Sequence, residues 1–150
     1  SLVVFGVGMG ILKLYKIKED NALEFELTKE NISCKVVFIT GCGSGIGKAL
    51  AIALNKYGFT VIATCRRQES VDEYLNNGSF IENGSIAFKL DVSSINDIRA
   101  IKNKISEFLR DENKILWSII SNAGVAVFTP FEIQSTDAIS LQINVNLLGG

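Results

Sequence analysis

The sequence predicts an α/β chain built on a parallel sheet, and three observations carry that expectation. From Lys35 onward, short apolar runs suited to buried strands alternate with stretches of helical period, the pattern of crossover units. The 150 residues are 47% hydrophobic and 21% charged, enough apolar surface for one ordinary domain and too much for a disordered chain. A glycine cluster, 41–47, stands between the first such run and the first helix, where a chain turns sharply from strand to helix.

The elements follow in order. Val36-Val37-Phe38-Ile39 is a continuous β-branched and aromatic run, fit for a strand covered on both faces. After the glycines, Ile46, Leu50, Ala53, Leu54 and Tyr57 recur at helical spacing and form the expected buried face, with Gly58 as the C-terminal cap. Thr60-Val61-Ile62-Ala63 is the second strand, and a weaker helix follows around Val71, Tyr74 and Leu75. Asn77-Gly78 and Asn83-Gly84 signal turns. The third strand spans 86–90. Ser94 with Asp97 resembles a capping box, opening a helix whose apolar face is Ile95, Ile98, Ile101, Ile105 and Phe108. The fourth strand spans 115–120, and a last helix starts near Asp137 and continues to Gly150.

The N-terminal stretch is different. Leu2, Val3, Val4, Phe5, Val7, Met9, Ile11 and Leu12 form an apolar run, with Lys13, Lys16 and Lys18 behind it. The run is shorter than the ~20 residues of a span. Residues 1–18 are expected to be the tail of a membrane anchor with a basic flank; a signal-peptide core and a strand covering a sheet edge are the alternatives. Residues 19–34, mixed and charged, read as a linker into the folded part at 35–150.

Composition excludes several chemistries. There is no His, hence no imidazole base, no Ser-His-Asp or Cys-His pair and no HExxH metal site. A net charge of −1 offers no basic face to nucleic acid. Cys34, Cys42 and Cys65 are odd in number and lack CxxC spacing, so they read as reduced, small apolar residues, and no metal site is expected.

The glycine cluster is the feature with chemistry. In Thr40-Gly41-Cys42-Gly43-Ser44-Gly45-Ile46-Gly47, backbone N–H groups and the positive end of a helix can meet a phosphate. A Walker A loop fails, because Cys42 and Ala49 stand where Gly and Ser/Thr are required. GxGxxG fails at Ile46. The pattern that fits is TGxxxGxG, through Thr40, Gly41, Gly45 and Gly47. Asp91-Val92 ends the third strand, Ser121-Asn122-Ala123-Gly124 follows the fourth, and Val145-Asn146-Leu147-Leu148-Gly149 lies in the last helix.

With these motifs in this order, the chain from about Lys35 resembles the short-chain dehydrogenase/reductase family. Within it the closest likeness is to the branch of retinol, hydroxysteroid and 3-hydroxybutyrate dehydrogenases. The resemblance implies a Rossmann-type doubly wound parallel sheet, with only the cofactor-binding first half in these residues. It implies that Gly41, Cys42, Gly43, Ser44, Gly45, Ile46 and Gly47 make the phosphate loop. Asp91 and Val92 would border the adenine pocket, Asn122, Ala123 and Gly124 would touch the cofactor ribose, and Asn146 would hold a water in a proton relay. Ser121 stands where the family often has Asn.

The second strand ends Ala63-Thr64-Cys65-Arg66-Arg67, with Cys65 at the position of the acidic residue that takes the ribose hydroxyls of NAD. Arg66 can offer a fork to a 2′-phosphate, so NADP(H) is favoured over NAD(H). The resemblance further implies hydride transfer to or from a lipophilic alcohol or ketone, as in retinol or steroid metabolism, a homo-oligomer when full length, and a membrane-associated protein. The endoplasmic reticulum is the favoured site, with a mitochondrial or cytoplasmic location as alternatives. The family's reaction needs a Tyr with Lys four positions on, and a Ser. Tyr15, Tyr57 and Tyr74 are followed there by Glu19, Val61 and Gly78, so this segment is expected to be inactive alone. The alternative is a dinucleotide-binding module without catalysis.

Overall fold

The computed structural model describes residues 3–8 and 11–16, as backbone strands, and residues 32–149. Strands β1 (Val3–Gly8) and β2 (Ile11–Lys16) pair antiparallel, Val3 opposite Lys16 and Gly8 opposite Ile11, in a sheet of their own. No helix among the described residues is long and apolar enough to cross a membrane. Most of the expected linker, 19–31, lies outside the described residues. Its end does not: Ile32 is buried against the main core and the Cys34 carbonyl accepts the Ile115 N–H at 2.9 Å.

The main body is a four-stranded parallel sheet in the order β5-β4-β3-β6. β3 (Lys35–Ile39) and β4 (Thr60–Cys65) are central and buried on both faces, as their unbroken apolar runs require. β5 (Ile86–Lys89) and β6 (Ile115–Ile120) flank them. Between strands run α1 (Gly45–Tyr57), α2 (Gln68–Leu75), the single turn α3 (Gly78–Ile81) and α4 (Ile95–Asp111). After β6 come a 3₁₀ turn (Phe131–Ile133), α5 (Thr136–Ile143) and a π turn (Asn144–Leu148).

Side chains alternate across the sheet and so build two cores. Val37, Ile39, Val61, Ala63 and Cys65 meet Ala51, Leu54, Val71, Tyr74 and Phe80 of α1, α2 and α3. Val36, Phe38 and Ile62 meet Ile101 of α4 and Val145. Helices therefore cover both faces, the doubly wound arrangement.

The structure differs from the sequence reading at three points. The buried face of α1 is Gly47, Ala51, Leu54 and Asn55, while Ile46 is 77% and Tyr57 62% exposed. Burial of the polar Asn55 is sustained by hydrogen bonds from its amide to the Phe80 carbonyl, Asn83 and Ser85, at 2.8–3.0 Å. Asn77-Gly78 begins the short α3 rather than a simple turn. The last helix is α-helical only to Ile143 and then widens into the π turn. The capping box forms as expected, with Ser94 Oγ accepting the Asp97 N–H at 3.2 Å.

Candidate cofactor site

Because all four strands run the same way, their carboxyl ends meet at one edge of the sheet. The chain leaves β3 toward β4 on one side, while β6 lies on the other, so loops on either side of β3 part there. A cavity of about 400 Å³ opens at this point. Along its wall, in the order of the sheet, stand Asp91 after β5, Arg66 after β4, the glycine loop after β3 and Asn122 after β6.

The loop's shape is set by its glycines. Gly45 has φ 58°, with nothing within 4 Å of a Cβ placed there, so the backbone angle alone demands glycine. Gly47 is required for space: a Cβ would collide with the Asn122 amide and the Gly41 carbonyl. α1 begins at Gly45 without a side-chain cap from Ser44 and without an acidic residue in its first turn. Its first-turn amides therefore present the positive end of the helix dipole to the cavity.

The loop is braced from β6. Thr40 Oγ1 accepts the N–H groups of Asn122 and Ala123, both at 3.0 Å. The Asn122 side chain returns the contact, donating to the carbonyls of Thr40 at 3.0 Å and Gly41 at 3.1 Å. Cys42 faces the other way. Its thiol is buried and donates to the Ile39 carbonyl, its N–H bonds the Thr64 carbonyl at 2.7 Å, and its own carbonyl accepts the Tyr74 hydroxyl at 3.0 Å. Cys42 thus anchors the loop to the core, and it is not part of the cavity lining. Burial pushes its thiol up to about 12.

At the end of β4 the side chains part. Cys65 is buried, and burial pushes its thiol up to about 11, whereas Arg66 and Arg67 are exposed and line the cavity. Asp91 Oδ1 accepts from the Ser93 N–H at 2.9 Å and the Ser93 hydroxyl at 2.6 Å. Those bonds, with the Arg66 charge as a smaller contribution, hold its carboxyl below the usual range.

The structure brings Gly41, Gly43, Ser44, Ile46, Gly47, Arg66, Asp91, Val92, Asn122, Ala123 and Gly124 to one cavity. Gly45 shapes the loop from outside the lining. Asn146 is also outside it, with its side-chain amide engaged at 2.8 Å in both directions with the backbone of Val125. Arg67, the buried Ser70, Val125 and Val145 line the cavity and were not expected there. The Arg-Arg pair carried a signal for Arg67; Ser70 and the valines carried none. A nicotinamide dinucleotide fits this donor set: an uncapped helix start for the pyrophosphate, a guanidinium beyond β4, and a cleft reaching past β3 to β6.

Comparison with known proteins agrees with this geometry. The family model described as short chain dehydrogenase matches residues 35–150. Retinol dehydrogenase 7 of Mus musculus is 36% identical over 115 residues, covering 77% of this chain and 35% of the relative. The 3beta-hydroxysteroid dehydrogenase dhs-16 of Caenorhabditis elegans is 32% identical over 122 residues, 78% of this chain and 31% of its own. Among solved structures, a short chain dehydrogenase from Bacillus anthracis superposes with TM-score 0.69 at 30% identity, over 79% of this chain and 47% of that one. An alcohol dehydrogenase from Thermococcus sibiricus, complexed with 5-hydroxy-NADP, gives TM-score 0.66 at 30% identity, over 77% and 48%. The chain spans about a third of the length of the curated relatives it matches.

Proposed function

From a chain that belongs to the short-chain dehydrogenase family, we propose an oxidoreductase that binds NADP(H) in preference to NAD(H) and acts on a lipophilic alcohol or its carbonyl, retinoid- or steroid-like. The observation that carries this reading is the pairing of an uncapped helix start with Arg66 on one cavity wall, where the β4 end carries no carboxylate. When bound, the nicotinamide supplies or accepts the hydride.

The chain's own residues bind and orient. Gly41, Gly43, Ser44, Ile46 and Gly47 cradle the pyrophosphate through backbone N–H groups, with Gly45 and Cys42 fixing the loop. Arg66 takes the 2′-phosphate, Asp91 and Val92 border the adenine, and Asn122, Ala123 and Gly124 hold the ribose beyond the loop. Asn146 serves the proton relay from the backbone side, since its amide is committed to Val125. The names of the similar retinol and hydroxysteroid dehydrogenases support the substrate class.

No Tyr of the sequence has Lys four residues later, so the 150-residue segment does not turn over by itself. The second reading is a dinucleotide-binding module without catalysis. Incubation of the whole protein with NADP⁺ and retinoid or steroid alcohols, following NADPH absorbance, separates the two. Turnover supports the dehydrogenase; tight NADPH binding without turnover on any of them supports the module. Membrane association, at the endoplasmic reticulum, accords with the apolar start and its lysines; a homo-oligomer when full length rests on the family resemblance alone. Mitochondrial or cytoplasmic placement is the alternative, the former named for the similar D-beta-hydroxybutyrate dehydrogenase of Mus musculus.

A further inference from the structure

Residues 121–128 leave β6 without regular secondary structure, so their backbone polar groups need partners other than a strand. The Thr40 hydroxyl takes the N–H groups of Asn122 and Ala123, and side-chain amides serve Val125 and Val127. Asn146 takes both the N–H and the carbonyl of Val125 at 2.8 Å. One turn earlier, Gln142 Oε1 accepts the Val127 N–H at 3.2 Å. Gln134 Nε2 donates to the carbonyls of Val127 at 3.3 Å and Thr129 at 3.0 Å. Gln142 Nε2 donates to Gln134 Oε1 and to the Ala138 carbonyl, each at 3.2 Å. Val127, Gln142 and Gln134 therefore close a ring.

The spacing explains the fit. Four residues of helix advance about 6 Å, and two residues of extended chain advance about 6.6 Å. Gln142 and Asn146 can thus meet Val127 and Val125 in antiparallel register, as a neighbouring strand would. Gly124, Val125 and Val145 line the cavity, and Gln142 does not.

We infer that Gln142 is a positioning residue for the cofactor cleft: by fixing Val127 it fixes the Gly124–Val125 wall on the β6 side. This rests on the dinucleotide reading above. With the 2′-phosphate at Arg66 after β4 and the pyrophosphate at the loop after β3, sheet order puts the nicotinamide half against that wall. Gln142 acts on that half and leaves the adenosine half alone.

The test measures dissociation constants of the whole protein for NADPH and for adenosine 2′,5′-bisphosphate, which has the phosphorylated adenosine end and no nicotinamide. Gln142→Leu is expected to weaken NADPH about tenfold, the equivalent of about 1.4 kcal/mol, and to change the bisphosphate by less than about twofold. Gln142→Glu, which retains an acceptor for the Val127 N–H, is expected to recover part of the loss. Should the Leu variant not fold, Gln134→Ala breaks the same ring and carries the same expected split. Equal losses for both ligands, or no loss for either, would overturn the inference while leaving the dinucleotide site standing. Failure of the unaltered protein to bind either ligand would overturn the dinucleotide reading and this inference together.

Discussion

Thr40 and Asn122 clasp each other across 82 residues of sequence: the Thr40 hydroxyl accepts the Asn122 N–H at 3.0 Å, and the Asn122 amide donates to the Thr40 carbonyl at 3.0 Å. This contact ties the glycine loop to the end of β6 and so sets the width of the cleft. Thr40→Val removes the acceptor for two backbone N–H groups. It should cost about 1–3 kcal/mol of stability, while Thr40→Ser, which keeps the hydroxyl and loses one buried methyl, should cost about 0.8 kcal/mol. Chemical denaturation midpoints check this; equal effects of Val and Ser would mean that the hydroxyl does not hold the loop.

Two glycines of the loop should respond differently to one methyl group. At Gly45 an added Cβ meets nothing, so Gly45→Ala pays only for φ 58°, about 1–2 kcal/mol. At Gly47 the Cβ collides with the Gly41 backbone and the Asn122 amide, so Gly47→Ala must open the loop–β6 contact. Thermal melts should show a mild loss for the first and a larger one for the second, with dinucleotide binding abolished only in the second. The reverse order would contradict the packing described.

Burial of two thiols gives stability an alkaline limit. Cys42 and Cys65 are raised from the ordinary thiol value of 9.0 to about 12 and about 11 by burial, and the Tyr74 hydroxyl is raised in the same way. Above pH 9.0 the unfolded chain releases protons that the folded chain retains, so the contribution is whole below that pH and drains as pH rises toward the folded values. Denaturation midpoints should be level near neutrality and fall above about pH 9, less steeply in a Cys42→Ala, Cys65→Ala double variant. An unchanged slope in that variant would place the alkaline loss elsewhere.

Membrane association is tested by fractionation of the whole protein. The apolar run and the lysines behind it predict recovery with membranes after a salt or alkaline wash. Release by the wash would indicate a surface contact, and recovery in the soluble fraction would remove the anchor.

Local periodicity made most of the fold legible. The 115–120 strand, the Ser94–Asp97 cap and Gly58 with φ 109° all lie where side-chain chemistry put them. The α1 face was misread because hydrophobic period cannot foresee a buried Asn55 satisfied by Asn83 and Ser85, residues distant in sequence. For the same reason, the Gln134–Gln142–Val127 ring has no sequence signature: its partners meet across irregular backbone. The glycine loop and Arg66 were visible because glycine and arginine are restricted to few roles beside a strand end. Ser70 was not, since a buried serine looks like any helix serine.

The proposed preference for a phosphorylated ribose rests on Arg66 more than on any other side chain, and one pair of measurements bears on it directly. Dissociation constants for NADPH and NADH are determined on the whole protein and on Arg66→Leu. NADPH should bind more tightly than NADH, and the variant should lose about ten- to a hundredfold for NADPH, the worth of a charge-assisted hydrogen bond of about 1.5–3 kcal/mol, with NADH nearly unchanged. Equal losses for the two cofactors, or tighter binding of NADH by the unaltered protein, would contradict the assignment.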